Sequence, residues 1–190
     1  ISDLGEISIA MHETTDDENL AIWRGNRARK AHSSKRDAFR TPNEGPLGIV
    51  KDKIEWKDKY RSTVENTTIQ SGFDENIGMV WSYPGLKIED WENIVSSKNG
   101  VVIAGTGLGH INSDLLGAIE KTSKDIPVAM SSQCLSGSTN LNVYRNGRKL
   151  LERGVIETYD MLPETALVKM MWLSKHHQDN VRDMMGQNLV

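Results

Sequence analysis

The stretch from Gly100 to His110, GVVIAGTGLGH, continued from Asn112 to Cys134 as NSDLLGAIEKTSKDIPVAMSSQC, decides how this chain folds. Val101-Val102-Ile103-Ala104 is an apolar run with no polar alternation, which predicts a strand covered on both faces, as in a parallel sheet. The glycine-rich turn Gly105-Thr106-Gly107-Leu108-Gly109 follows, with Asn112 or Ser113 as N-cap of the next helix. Leu115, Leu116 and Ile119 then recur at helical spacing, and Ile126 to Met130 is a second apolar run. Together these predict a βαβ unit with a right-handed crossover.

Working outward from that unit, the same cycle extends both ways. Upstream, Met79 to Tyr83 predicts a strand stopped by Pro84-Gly85. Ile88, Trp91, Ile94 and Val95 mark one face of a helix ending at an Asn99-Gly100 C-cap. Downstream, residues 135–161 read as a long loop with one short helix around Arg148 to Glu152. Pro163 suits the first turn of a helix whose apolar face is Ala166, Leu167, Met170, Met171 and Leu173. Val181, Met184 and Met185 predict a last short helix. The fold class is therefore α/β, with a small doubly wound, flavodoxin-like parallel-sheet domain over residues 77–190. The loops at the carboxyl ends of its three strands, Pro84-Gly85, Gly105 to His110 and Ser131 to Ser138, are where ligands bind in open parallel sheets.

Residues 57–76 are polar with few large apolar side chains, and a linker is placed over 61–76. Before it, Glu6 to Met11 alternates like a strand. Residues 19–32 read as a β-hairpin turning at Gly25-Asn26, with Arg27, Arg29 and Lys30 on the return strand. A basic return strand also suits a solvated sheet edge that resists further pairing. Ser33 or Ser34 caps a turn, and Leu47 to Trp56 reads as one strand interrupted by Lys51-Asp52-Lys53. The chain opens at Ile1 without a methionine and soon reaches a strand-like run; a complete domain can start this way, but the pattern favours a fragment. A lone strand leaves unpaired backbone groups, so Ile7 to Met11 is expected to pair in the hairpin's sheet or with another chain.

Length allows one large or two modest domains in 190 residues. With 23 basic and 26 acidic residues, net −3, nothing favours nonspecific nucleic-acid binding. No run of 18 apolar residues predicts a membrane span, and no signal-peptide pattern opens the chain. The single cysteine, Cys134, excludes an internal disulfide and suits a reducing compartment, so the expectation is a cytoplasmic protein.

Several chemistries are excluded by spacing. A dinucleotide fingerprint needs G-x-G-x-x-G, but His110 stands at the third glycine position, and Ser131-Ser132-Gln133 offers no acidic residue for a ribose. No G-K-[ST] phosphate loop occurs. His12, His32, His110, His176 and His177 are scattered without metal-ligand spacing. His176 and His177 instead close the long helix, where a cationic ring favours the dipole end. Cys134 follows a strand, but no patterned base accompanies it, and the simpler reading is a small buried residue. The tryptophans read as core and interface anchors.

The runs RKAHSSKRDAFRTPNEGPLG, GTGLGH, SSQC, GRKLLERGVI and MLPETALVKMMW resemble the asparaginase family. Within it they resemble the D subunits of archaeal glutamyl-tRNA(Gln) amidotransferases. The resemblance spans essentially the whole chain. It implies that residues 1–60 are the end of the large amino-terminal domain and 77–190 the small carboxyl-terminal domain. It further implies amide hydrolysis through a threonine nucleophile, activated by a second threonine, an aspartate and a lysine. The T-G-G-T and T-D-T motifs that carry the first three are expected upstream; Thr14-Thr15-Asp16 is only a superficial echo of them. Lys30 matches the family's lysine after the hairpin, and a partly desolvated lysine can serve as the base.

His110 stands where many simple asparaginases carry a substrate-contacting asparagine on a loop that reaches a neighbouring subunit. That departure suits a glutamine substrate or a regulated site, and no catalytic role is carried over to it. Asn142 and Tyr144 are weaker candidates for the same surface. The implied partners are a second copy, an amidotransferase E subunit that holds ATP and Mg, and, through it, tRNA(Gln); no cofactor is expected on this chain. The alternatives are a type I L-asparaginase and a non-catalytic dimerisation or binding fragment.

Overall fold

The computed structural model describes residues 3–64 and 68–189. Residue contacts divide the chain into two units, Ile1–Ile69 and Gln70–Val190. Ile1, Ser2, residues 65–67 of the expected linker and Val190 lie outside the described residues.

The first unit contains β1 (Ser8–His12), β2 (Leu20–Arg24), β3 (Arg29–Lys30), β4 (Phe39–Arg40), β5 (Gly48–Val50) and β6 (Ile54–Trp56). Its sheet has the order β1-β2-β5-β6, all antiparallel, and β3 with β4 forms a separate ribbon. The segment beginning at Ile7 is thus paired within this chain, Ile9 opposite Trp23 and Met11 opposite Ala21. The hairpin expected over residues 19–32 does not form. Both edges of β2 are already taken, by β1 and β5, so no place remains beside it for a return strand. Gly25 donates its N–H to the Ile7 carbonyl at 2.9 Å and leads the chain away. The strand expected over Leu47 to Trp56 is two strands folded on each other, closed by the Lys51 N–H to the Lys53 carbonyl at 3.1 Å.

Packing in this unit is thin. Ala21, Trp23 and Ile49 form its buried cluster, with Ile9, Met11, Ala28 and Phe39 partly buried against them, and Ile22, Ala38 and Leu47 are buried as well. Charge supplies much of the rest. The Arg24 guanidinium donates to Glu6 at 2.7 Å, to Glu44 at 3.1 Å, to Asp58 at 3.3 Å and to the Lys59 carbonyl at 2.6 Å. The bonds to the carboxylates, Glu6 first and then Glu44 and Asp58, raise the Arg24 pKa above its ordinary value against the effect of burial. Burial works to raise Glu6, but Arg24 and the Arg61 N–H outweigh it and hold the carboxyl below the usual range. Residues 61–63, at the start of the expected linker, run back along the amino-terminal segment. Gly5 donates to the Arg61 carbonyl and Thr63 to that of Asp3.

The second unit contains β7 (Ile77–Trp81), α1 (Ile88–Val95), β8 (Gly100–Gly105), α2 (Leu116–Asp125), β9 (Val128–Ser132), α3 (Arg145–Glu152), β10 (Ile156–Glu157), α4 (Pro163–His176) and α5 (Val181–Met185). Four parallel strands lie in the order β10-β9-β8-β7. Side chains alternate across a strand, so β8 and β9 feed two cores at once. Val101, Ile103, Val128 and Met130 join Trp91, Leu115, Ile119 and Leu150 on one face. Val102 and Ala129 join Ala166, Met170, Leu173, Val181 and Met185 on the other. That two-sided burial is why the 101–104 run shows no polar alternation. The strand order never reverses: α1, α2 and α3 cover one face, and α4 with α5 covers the other.

Three features depart from the sequence reading. Ile156–Glu157 is a fourth strand inside what reads as loop, paired to Ala129 and Met130. The first helix ends at Val95 with Ser96 as C-cap, and Gly100 opens β8. Gly100 answers close packing rather than a turn, since a Cβ there would lie 2.7 Å from the Met170 sulfur. Finally, β7 spans Ile77–Trp81, two residues earlier than expected, and Gly85 alone of the Pro84-Gly85 pair has positive φ.

Candidate functional site

Lys30 sits in the β3–β4 ribbon opposite Phe39. Below that pair the ribbon is extended by the Ala31 N–H to the Ala38 carbonyl at 2.7 Å, with Ala38 buried. The intervening turn is capped by His32, whose Nδ1 accepts the N–H groups of Ser34 and Lys35 at 3.1 Å each. An imidazole thus does what Ser33 or Ser34 was expected to do. The adjacent Arg40 donates to Asp37 at 2.7 Å and lies 5.7 Å over the buried Trp23 ring, which ties the ribbon to β2. Lys30 itself is exposed. The partial desolvation that a lysine base requires is not supplied by these neighbours. Thr14-Thr15-Asp16 lies on the loop between β1 and β2, where Asp16 accepts the Glu18 N–H at 3.2 Å in an exposed turn.

The second surface is the carboxyl edge of the parallel sheet. The glycine turn closes on itself: Thr106 donates to the His110 carbonyl at 2.9 Å and His110 to that of Thr106 at 2.8 Å. Gly107 and Gly109 take positive φ, 53° and 104°, which only glycine adopts without strain. Gly109 has a second reason, since a Cβ would come within 2.8 Å of the Leu141 side chain. Beyond β9, Ser132 donates to the Gly107 carbonyl at 2.6 Å and the Gln133 N–H to that of Gly105 at 2.8 Å. The Gln133 amide reaches across the sheet, donating to the Ser82 and Ala104 carbonyls at 2.6 and 2.8 Å. Buried Glu157 accepts the Leu141 N–H at 2.8 Å, fixing the loop that follows.

That loop brings two of the candidate residues together. Asn140 donates to the Leu108 carbonyl at 3.0 Å, and the His110 and Tyr144 rings meet edge to face with centroids 4.9 Å apart. Tyr144 is the N-cap residue of α3 and is half exposed, while Asn142 donates its N–H to the Asn140 side chain at 3.2 Å. Cys134 is exposed rather than buried, because the chain turns outward after Gln133. Sequence reasoning missed Gln133, Ser132 and Glu157. The signal for the first two was the polar triplet directly after an apolar strand; for Glu157 there was none, because its strand is two residues long. No group of three or more His, Cys, Asp or Glu side chains converges to hold a metal among the described residues. Among them, no helix is long and apolar enough to cross a membrane.

A two-unit α/β chain with an antiparallel lysine-bearing piece and a parallel sheet of this kind matches two family models in tandem. Residues 2–62 match the asparaginase amino-terminal domain, and residues 76–185 the glutaminase/asparaginase carboxyl-terminal domain. The chain belongs to the glutaminase/asparaginase family. Among curated proteins it is 40% identical over 190 residues to the D subunit of glutamyl-tRNA(Gln) amidotransferase from Thermoplasma acidophilum, covering 99% of this chain and 46% of that protein. It is 42% identical over 199 residues to the Saccharolobus islandicus protein of the same name, covering 98% and 44%. The chain therefore spans about half the length of the curated relatives it matches. Among solved structures, the thermostable L-asparaginase from Thermococcus kodakarensis superposes with a TM-score of 0.87 at 30% identity, over 96% of this chain and 56% of that one. L-asparaginase I from Vibrio cholerae gives 0.77 at 30% identity, over 89% and 54%.

Proposed function

We propose that this chain is part of a glutamine-hydrolysing subunit whose ammonia a partner subunit uses to convert Glu-tRNA(Gln) to Gln-tRNA(Gln). The observation that carries the reading is the 40–42% identity, along nearly the whole chain, to proteins named as the D subunit of that amidotransferase. In this reading the nucleophilic threonine, the second threonine and the aspartate come from sequence upstream of residue 1. The threonine oxygen bonds to the side-chain amide carbon of glutamine as Lys30 takes up its proton. The C–N bond then breaks, the nitrogen leaves as ammonia with that proton, and water frees glutamate from the acyl-enzyme. Lys30 is the catalytic residue supplied here, and the upstream segment has to provide the desolvation that the β3–β4 ribbon lacks.

The same reading has the protein pair with a second copy and with an E subunit that binds ATP and Mg, in the cytoplasm where tRNA is charged. His110, Asn142 and Tyr144 then lie on the loop surface offered to the neighbouring copy. A second reading, a type I L-asparaginase, draws on the superposition with the Thermococcus enzyme and shares all the chemistry above. The two separate on ammonia release by the full-length protein. Glutamine hydrolysis that rises with Glu-tRNA(Gln) and the E subunit supports the first reading, whereas tRNA-independent turnover of asparagine supports the second. The 190-residue chain alone should release ammonia from neither amide; release above a Lys30→Ala control would overturn the assignment of the nucleophile to upstream sequence.

A further inference from the structure

At the amino-terminal edge of the parallel sheet lies a cleft of about 470 Å³ lined by Phe73, Asp74, Glu75, Asn76, Asn99, Ser174, Lys175 and Gln178. The strands β7 and β8 begin immediately after Asn76 and Asn99, and α4 ends beside them. The polar groups of this cleft divide into those already engaged and those left open. Asp74 is engaged at both oxygens, by the Asn76 N–H at 2.9 Å and the Asn99 amide at 2.8 Å. It orients Asn99 so that the amide oxygen is the remaining acceptor. Ser174 is 6% exposed, and its hydroxyl has no hydrogen-bond partner among the described residues. A buried hydroxyl left so is costly, and Ser174 is the one such atom of this cleft, the others among the described residues being on His12, Trp23 and Asp37 of the first unit. On the rim, Glu75 and Lys175 are exposed, and neither joins an ion pair among the described residues.

We infer that this cleft binds a small zwitterion, an α-amino acid. The ligand's carboxylate pairs with Lys175, its ammonium with Glu75, and its side chain turns inward to Ser174 and Asn99. Asp74 is held only by neutral donors, so a simple anion would face two carboxylates and a simple cation the Lys175 ammonium; a ligand carrying both charges meets groups of both signs. Binding of this kind does not depend on the proposed amide hydrolysis, and its test needs no activity.

The test is titration of the 190-residue chain, followed through its amide resonances, with L-serine as the probe and acetate and methylammonium as single-charge controls. Saturable shifts at Asn99, Ser174 and Gln178 with L-serine, at least tenfold tighter than either control, are expected. Glu75→Gln and Lys175→Met, both surface changes that leave the fold intact, should each weaken binding about tenfold. Ser174→Ala should also weaken it severalfold while raising the thermal midpoint. Equal affinity for serine and the controls overturns the inference, as does undiminished binding in the two rim variants. A Ser174→Ala chain that is stabilised yet binds serine as before overturns it too, since the hydroxyl is then only a packing leftover.

Discussion

The two units of this chain reach order by different means. The second stacks helices on both faces of a parallel sheet, and its central strand is fully buried from Val101 to Ala104. The first buries only six apolar side chains, Ala21, Ile22, Trp23, Ala38, Leu47 and Ile49, among the described residues, and leans on one guanidinium shared among three carboxylates. Burial of apolar area is insensitive to pH and is not weakened by ionic screening, while an ion cluster is sensitive to both. The unit proposed to supply the lysine base is thus the one that depends more on an ion cluster, while the more deeply packed unit carries the loops at the sheet's carboxyl edge.

The largest test of that contrast is catalytic. In the full-length protein Lys30→Ala should lower turnover by on the order of 10²–10⁴, the usual worth of a positioned base, without changing the melting of either unit. A near-normal rate would make Lys30 an edge charge. Next comes hydrogen exchange on a proven monomer. Val101–Ala104 should exchange far more slowly than Ser8–His12, since only core strands need global opening; equal protection would erase the contrast.

Gly147→Ala probes the second unit's packing. Helix propensity favours alanine by about 1 kcal/mol, but a Cβ there would overlap the Leu141 carbonyl oxygen. Backbone cannot step aside as a side chain can, and overpacking costs about 1–3 kcal/mol, so denaturant titration should show a net loss. Arg24→Met probes the first unit. It should cost about 1–3 kcal/mol there, less than for a fully buried pair because these groups are partly exposed, and leave the second unit's transition in place. The sign with pH follows from Glu6. Its folded pKa lies below 4.5, so its contribution is whole above that value and fades as pH falls beneath it. Acid should therefore open the first unit before the second.

The smallest effect is at Lys169. It donates to the Met185 carbonyl at 2.9 Å and to that of Gln187, and burial brings its pKa down from 10.5 to about 8. A lysine depressed on folding binds more protons unfolded, so stability should rise with pH between about 8 and 10.5. Lys169→Met should flatten that slope in the second unit's thermal midpoint; an unchanged slope would assign it to other groups.

Much of the second unit was legible because its signals are local. An unbroken apolar run marks a strand buried on both faces, and Ala166, Met170 and Leu173 mark a helix stripe without reference to anything distant. The first unit was read less well because its strands are defined by partners. Gly25-Asn26 has good turn chemistry, yet β1 and β5 occupy both sides of β2. Asn99-Gly100 resembles a cap, yet Asn99 donates its N–H to the Asn76 carbonyl at 2.9 Å and Gly100 lies against Met170. Ile156–Glu157 is too short for periodicity to register. Of the candidate site, Lys30, His110, Asn142 and Tyr144 are nominated from the family resemblance alone, and the meeting of the His110 and Tyr144 rings depends on Asn140 docking to Leu108, which no spacing encodes.

Gln133 has a consequence for anyone wishing to rebuild this edge. Because its amide and N–H hold the carbonyls of Ser82, Ala104 and Gly105, the tips of the neighbouring strands are clamped before the chain departs into residues 135–138. Those four residues are exposed, so the segment is a cassette. A foreign recognition peptide spliced between Cys134 and Thr139 should therefore leave the sheet beneath it closed, provided the glutamine stays.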